Sequence, residues 1–546
     1  MSMRKMLAVN HSGAAFDKDL SHFRPKRLSF DDAHLKEKET LDARTIASVR
    51  DFPMLARALR RKREEIIGPH YRMECKPVHR MLPGPFNRRY ALEWGRLVAM
   101  MFEADCNSID CWLDAAGQKT HTQLLHQGLN TFKNTGEIVP IYQFDTENGP
   151  FATRVMTIDP GRVRTPKEFE GVKRRETVTA GFAHNASGYK YKMYVHDDLP
   201  DKEIRYEMNT VNKKKRWKAI LRKIDSGHRT QWAHIYDDEF PGCTRGRNGY
   251  SAAIRFTAQL ATFEKNVMRA AALQARHIGF LKTKYPEKAM ENLMTPEQGV
   301  LSALEMVKSF YGEDSDGINV DDAVIGHLMP WDEYEESKPT QPISTFEEFE
   351  SAILRHLSAG ADQGYAEFTG DYRRASYSST RQEDIKAQTS NDSLKANVVD
   401  VFADNNATNW MEENISSGRI PIRGLNTSRD RLRFFRRYKP YLANFCWYGT
   451  PNKNIDPVKT AVANNIELNK TGGMLLSEHL NKGYNVSFED WLDEKSEEIR
   501  KLKENGLEHL VGDTGSTANS TSGRLSDPNT QNSITSDEMH LATSEI

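Results

Sequence analysis

After Gly249 the chain carries Phe256, Leu260, Phe263 and Val267 at steps of four, three and four residues. That spacing puts all four on one face of an α-helix, with Arg255, Lys265 and Arg269 off the stripe. From Ser251 to Arg276 such a helix runs ~39 Å at 1.5 Å per residue. A rod of that length with one apolar stripe needs a partner surface along its side. A second helix is predicted over Phe346 to Ala359, and a third from near Ser379 to about Ile415. Between the last two lies a loop marked by Gly360, Gly364 and Gly370. Residues 279–344 are irregular and end in the Pro-rich, acidic stretch Pro330 to Pro342.

The 546 residues leave room for roughly three to five structural units. Lys+Arg and Asp+Glu are both 76, so the formal net charge is zero. That argues against a chain whose main task is to coat nucleic acid, which calls for a basic excess. Charge segregated within a neutral total still permits DNA contact. No run approaches the ~20 apolar residues of a membrane span. Met1 to Asp17 lacks the apolar core of a signal peptide. The five cysteines are too sparse for a disulfide framework and fit free thiols in a reducing compartment.

Residues 1–43, with a basic patch at Arg24, Lys26 and Arg27, are expected to be a flexible arm. Amphipathic helices are predicted over Leu92 to Phe102 and Leu124 to Phe132. Strands are expected at Val139–Phe144, Thr153–Ile158, Thr177–Thr179 and Tyr189–Tyr194, separated by Gly149-Pro150 and Asp159-Pro160-Gly161. Asp456-Pro457 has the form of an N-cap followed by Pro at the first helical position. Ser487 and Asp490 resemble a capping box ahead of Trp491, and Gly506 suits the end of that helix. Residues 512–546 are polar enough to be a disordered tail.

Several chemistries can be weighed against their plainer readings. No G-x-x-x-x-G-K-[ST] loop is present, so the chain has no P-loop for ATP. Cys106, Cys111, His121 and His126 have a zinc-like spacing, but Trp112, Leu113, Leu124 and Leu125 interleave them as ordinary core. The favoured reading is buried structural cysteines with exposed histidines, and no metal. Asp513-Thr-Gly-Ser516 matches an aspartic-protease loop, yet it sits in the polar tail, where two carboxylates cannot be held together. Lys213 to Lys218 and Arg429 to Arg437 are basic. The second interleaves Phe434 and Phe435, which suits base stacking. The alternative is a solvated or inter-subunit face.

The segment Ile343-Ser-Thr-Phe346 … Ala359-Gly360 … Tyr365 … Phe368-Thr-Gly-Asp371-Tyr372 … Tyr377-Ser378-Ser379-Thr-Arg381 resembles the lambda-type family of tailed-phage portal (head-to-tail connector) proteins. In order along the chain, Gly136-Glu137, Asp159-Pro160 with Thr165-Pro166, His234-Ile235 with Arg245-Gly246, and Asp456-Pro457-x-Lys459 after Trp447 are similar to other blocks of that family. The resemblance covers roughly Arg44 to Leu507. The polar run Ala361-Asp-Gln-Gly364 and Ala375-Ser376 depart from the family's usual residues.

The resemblance implies an α+β portal fold that assembles as a ring of about twelve subunits. It implies a wing over 44–250, a stem helix over 251–278, a clip over 279–344 and a second stem helix over 345–359. A channel loop over 360–378, a long wing helix over 379–416 and a helical region with the crown over 417–511 complete the expected layout. Such a ring sits at one capsid vertex of the virion, is assembled in the host cytoplasm, and passes double-stranded DNA without sequence preference. Its implied partners are the terminase large subunit, head-completion and tail adaptor proteins, and the major capsid and scaffolding proteins. It has no cofactor and is no enzyme, which agrees with the missing P-loop. Arg373, Arg374 and Arg381 near the loop, then Lys282 and Lys284 past the stem helix, are candidate lumen contacts. The opposing reading pairs these arginines with Asp371, Glu383 or Asp384 across subunits. Tyr377, Ser378 and Ser379 are family-motif residues that also suit a helix cap. The apolar stripe suits either a neighbouring ring subunit or the core of its own chain. A zinc-dependent DNA-binding module and a carboxylate nuclease are the competing functions. Charge parity fits a conduit that must pass DNA without gripping it.

Overall fold

The computed structural model describes residues 26–84, 86–147, 149–169, 177–197, 199, 217–224, 229–276, 280–283, 332–335, 346–373, 376–451, 468, 473, 475–484 and 488–505. The chain divides into two units, Met1–Ala463 and Asn464–Ile546.

In the first unit α1 (Phe30–Asp51) starts behind Ser29, whose hydroxyl caps the Asp32 N–H. This corrects the expected flexible arm over its last part. Residues 30–43 are helical because His34 and Lys38 are buried, with Lys38 Nζ donating to Thr135 O at 2.5 Å and Gly246 O at 2.8 Å. Next come α2 (Pro53–Ile66), β1 (Arg72–Cys75), α3 (Arg88–Cys106) and α4 (His121–Thr135). Both α3 and α4 outrun the predicted helices. Asn87 caps the first, and a reciprocal Thr120–Gln123 capping box opens the second. Gly136, at φ +83°, ends α4 in the left-handed region and passes straight into β2 (Glu137–Phe144).

The strands β3 (Thr153–Ile158), β4 (Thr177–Thr179), β5 (Phe182–His184), β6 (Lys190–His196) and β7 (Trp217–Leu221) follow, then β8 (Lys223–Ile224), β9 (Arg229–Thr230) and β10 (Ile235–Tyr236). One antiparallel sheet runs β10-β2-β3 and a second runs β4-β5-β6-β7. Fully buried Val139, Phe182, Met193 and Trp232 belong to one cluster shared by these two sheets.

The long helix α5 (Ile254–Arg276) leads into β11 (Phe280–Thr283), which pairs antiparallel with β12 (Asp332–Glu335). Then α6 (Phe346–Gly360), the short α7 (Tyr365–Thr369) and α8 (Tyr377–Leu394) follow. A π turn at Lys395–Val399 joins α8 to α9 (Asp400–Ser417), so the predicted third helix is two helices without a break in the chain's path. The unit closes with α10 (Ser428–Leu442) and β13 (Phe445–Tyr448), which pairs with β1. The result is an α+β fold.

The stripe that needed a partner finds it in its own chain. Phe256 stacks on His356 at 5.0 Å, and Phe263 lies 4.5 Å from Phe349, so α6 covers α5. Leu260, Leu357, Leu55 and Phe368 form the buried centre of that contact. The larger core gathers Trp94, Phe102, Leu129, Phe402 and Trp410 from α3, α4 and α9.

In the second unit, α11 (Leu476–Tyr484) and α12 (Phe488–Glu504) are adjacent helices, the latter laced by Arg500–Glu497 and Lys501–Glu497 pairs. Gly506 and the residues from 512 onward lie outside the described residues. Among the described residues no helix is long and apolar enough to cross a membrane.

Candidate nucleic-acid interface

The segment from Gly360 to Ser379 links α6 to α8. Gly360 closes α6 against the start of α5: a Cβ there would meet the Ala253 Cβ at 3.1 Å. The polar run Ala361 to Gly364 folds back on the helix end, with the Ala361 and Gln363 amides donating to Leu357 O and Ser358 O. Gly370, at φ +75°, terminates α7, and Thr369 O accepts from Arg57 Nη1 at 2.9 Å. The loop is therefore clamped onto α2.

Arg373 lies on the outer part of this loop, three-quarters exposed, and forks onto Asp371 with two bonds of 2.9 Å. Glu347 is 3.5 Å away. The pairing with Asp371 occurs inside one chain. Arg381 is exposed on the first turns of α8. Lys282 and Glu333 are backbone partners in the β11–β12 register. Arg374, Lys284, Asp456 and Pro457 lie outside the described residues.

The motif Tyr377-Ser378-Ser379 does take part in the cap of α8, through Ser379, with the N-cap itself one residue ahead of it. Ser376 is the N-cap, and Ser379 answers it from the third helical position. Tyr377 is simply the first helical residue.

Behind the loop sits a polar cluster. Fully buried Lys62 donates to Asn391 Oδ1 at 2.7 Å, Asn391 donates to Glu65 at 3.0 Å, and Gln363 donates to Glu367 at 3.2 Å. Burial, and then the Glu65 carboxylate, raise the Glu367 carboxyl to about 7.

The motif residues of the amino-terminal half meet at one buried carboxylate. Glu137 accepts from Arg245 Nη2 at 2.5 Å and Nε at 2.8 Å, and from His234 Nε2 at 2.7 Å, with Lys38 Nζ at 3.2 Å. Arg245 also donates to Pro160 O and Val163 O, both at 2.9 Å. Gly246 presses on Gly136 so closely that a Cβ would stand 2.0 Å from Gly136 O. Burial alone would raise the Glu137 carboxyl, but Arg245 and Lys38 hold it well below the usual range. Burial lowers His234 to about 3. A neutral imidazole fits its contacts, donating to Glu137 and accepting from Lys190 Nζ at 3.1 Å. The blocks Gly136-Glu137, Asp159-Pro160, His234-Ile235 and Arg245-Gly246 are thus one architectural hub. Sequence reasoning collected them but missed their convergence and missed Lys38. Two charge–glycine pairs far apart in the chain were the available signal.

The zinc-like residues do not form a site. Among the described residues no group of three or more potential ligands could hold a metal. The histidines correct the expected exposure. His121 is fully buried between Phe102 (5.0 Å) and Trp447 (5.4 Å), and half-buried His126 bonds Gly68 O at 2.9 Å. The base-stacking reading of α10 is corrected as well. Phe435 is fully buried and Phe434 stacks on Phe86 at 6.0 Å, so neither ring is free for bases. Lys213 to Arg216 lie outside the described residues, and Lys218 pairs with Asp197 at 3.5 Å.

Residues 16–394 match the family described as "Phage portal protein, lambda family". The chain belongs to this family. Portal protein B of Escherichia phage lambda is 23% identical over 477 residues, covering 84% of this chain and 83% of that protein. The portal protein of Escherichia phage N15 is 22% identical over 466 residues, covering 84% of each. Among solved structures, the chain is similar to one from the virion of a native gene transfer agent particle, with 11% identity and a TM-score of 0.41 over 81% of this chain and 92% of that one. A chain from the neck of the native particle, computed with C12 symmetry, shows 12% identity and a TM-score of 0.40 over 82% and 92%. The family match begins ahead of α1 and ends at the last residue of α8, so it embraces the glutamate hub, the α5–α6 pair and the loop between α6 and α8.

Proposed function

We propose that this protein assembles into a ring of about twelve copies at one capsid vertex, through which double-stranded DNA is packaged and later ejected. The observation that carries this reading is the portal-family match over residues 16–394, which includes α5, α6 and the loop after them. In this reading 251–278 and 345–359 are stem helices, 279–344 the clip, 360–378 the channel loop, 44–250 with 379–416 the wing, and the crown falls within 417–511. The antiparallel β11–β12 pair supports a clip that leaves and returns at one place. The ring supplies no hydrolysis. It docks the terminase large subunit, head-completion and tail adaptor proteins, and the major capsid and scaffolding proteins. It resides in the virion after assembly in the host cytoplasm.

Arg373, Arg374, Arg381, Lys282 and Lys284 are the proposed lumen contacts. The Arg373–Asp371 fork supports a damped contact, since a paired guanidinium offers DNA less net charge. Mass measurement and negative-stain imaging of purified protein test the assembly. A ring of about twelve with a central hole is expected, and a monomer under all conditions overturns it.

A further inference from the structure

The exposed face of α10 carries a rank of arginines that neither the loop nor the hub uses. Arg429, Arg433 and Arg437 recur at four-residue steps, and all three side chains are exposed. At 1.5 Å per residue they span ~12 Å along one side of the helix. None of the three takes a carboxylate partner among the described residues. The other arginines of α10 are committed. Arg431 caps Ile415 O and Ser416 O, and Arg436 pairs with Glu412 at 2.9 Å.

The rank sits on a stiff, basic surface. Phe434 beneath it packs on Phe86 at 6.0 Å and on Tyr438 at 4.8 Å. Exposed Arg423 lies over the Tyr90 ring at 4.6 Å, and Arg88, also exposed, opens the helix that carries Tyr90. Asp430, on the same helix turn, is engaged by the Thr427 cap.

We propose that this face binds the phosphate backbone of duplex DNA, outside the loop already assigned to the channel. Duplex DNA presents one charge per ~1.7 Å of axis, so a ~12 Å rank meets a continuous row of acceptors. A guanidinium fork matches phosphate oxygens, and it needs no base. The burial of Phe435 and the packing of Phe434 remove stacking, so the face is suited to duplex and carries no sequence preference. A zero net charge conceals the rank because acids elsewhere balance it. The inference rests on the proposed role in DNA passage for its partner, but not on which residues line the channel.

The test is fluorescence anisotropy of assembled protein with a mixed-sequence duplex across a salt series. The triple variant R429Q/R433Q/R437Q should bind about tenfold more weakly or worse at low salt, and its log K against log salt slope should fall by about 2–3. The charge-preserving R429K/R433K/R437K should keep most of the slope. Thermal unfolding should match for all three proteins, since the altered side chains are exposed. Unchanged affinity and slope in the glutamine variant overturn the proposal. So does retained DNA binding with lost association to an acidic protein partner, which reassigns the face to protein docking. Ring formation, followed by mass in parallel, reports separately on the assembly reading.

Discussion

Single residues carry opposite pH signatures here. His121 is fully buried, with no hydrogen-bond partner on either ring nitrogen among the described residues, and burial lowers it from 6.5 to about 3. Below pH 6.5 the unfolded chain takes up a proton that the folded chain refuses. This residue's share of stability is therefore intact above 6.5 and falls as pH drops toward 3, by about 1.4 kcal/mol per pH unit. Glu367 has the opposite sign. Its carboxyl is raised from 4.5 to about 7, so its share is intact below 4.5 and is lost as pH rises through about 7. A difference between wild type and one variant separates the two. His121→Phe removes an unsatisfied buried polar group, and it should stabilise the fold at pH 7 by about 1 kcal/mol. Its advantage should widen by about 1.4 kcal/mol for each pH unit from 6.5 to 5. Urea midpoints at pH 7, 6 and 5 check this, and parallel pH slopes for the two proteins would sink it.

At the scale of elements, periodicity was legible and partnership was not. The stripe Phe256, Leu260, Phe263 and Val267 located α5 because a 3.6-residue period needs no tertiary knowledge. What covers the stripe is α6, whose Phe346, Phe349 and Leu357 lie at distant positions that no local window joins. The strands Thr153–Ile158 and Thr177–Thr179 were readable to the residue from alternation and punctuation. The start of α1 was not, because its ordering comes from Lys38 and His34 reaching carbonyls more than ninety residues away. The loop's motif residues were found, but the cap was shifted to Ser376, since Ser376 and Ser379 satisfy each other only once the helix has formed. If α5 and α6 rest on each other within one subunit, Leu357→Ala should cost about 2–5 kcal/mol through the cavity it leaves. Met268→Ala, two-thirds exposed on α5, should cost less than about 0.5 kcal/mol in the unassembled chain. Thermal unfolding of the two variants makes the comparison, and equal losses would mean that the stripe is not packed as described.

Over the whole molecule, charge parity describes two separate arrangements. One is the exposed rank on α10, and the other is the buried hub, where Arg245, Lys38 and a neutral His234 surround Glu137. The hub gives the amino-terminal segment a role that its polar composition hides. From α1, Asp31 accepts from the Thr244 amide at 2.8 Å, Lys38 reaches Thr135 O, Gly246 O and Glu137, and Asp42 accepts from Asn248 at 3.0 Å. These contacts bind the start of the chain to the end of α4 and to the loop ahead of α5. Deleting residues 1–43 removes all of them and leaves Glu137 and Arg245 facing a vacated, partly wetted surface. A broken buried charge network costs about 3–5 kcal/mol. The truncated protein should therefore unfold at markedly lower denaturant, with amide exchange quickening around Thr135 and Gly246. Lys38→Met, which keeps the helix and removes only the ammonium, should reproduce a large part of the loss. A truncation that shifts stability by less than about 0.5 kcal/mol would return the segment to the status of a free arm.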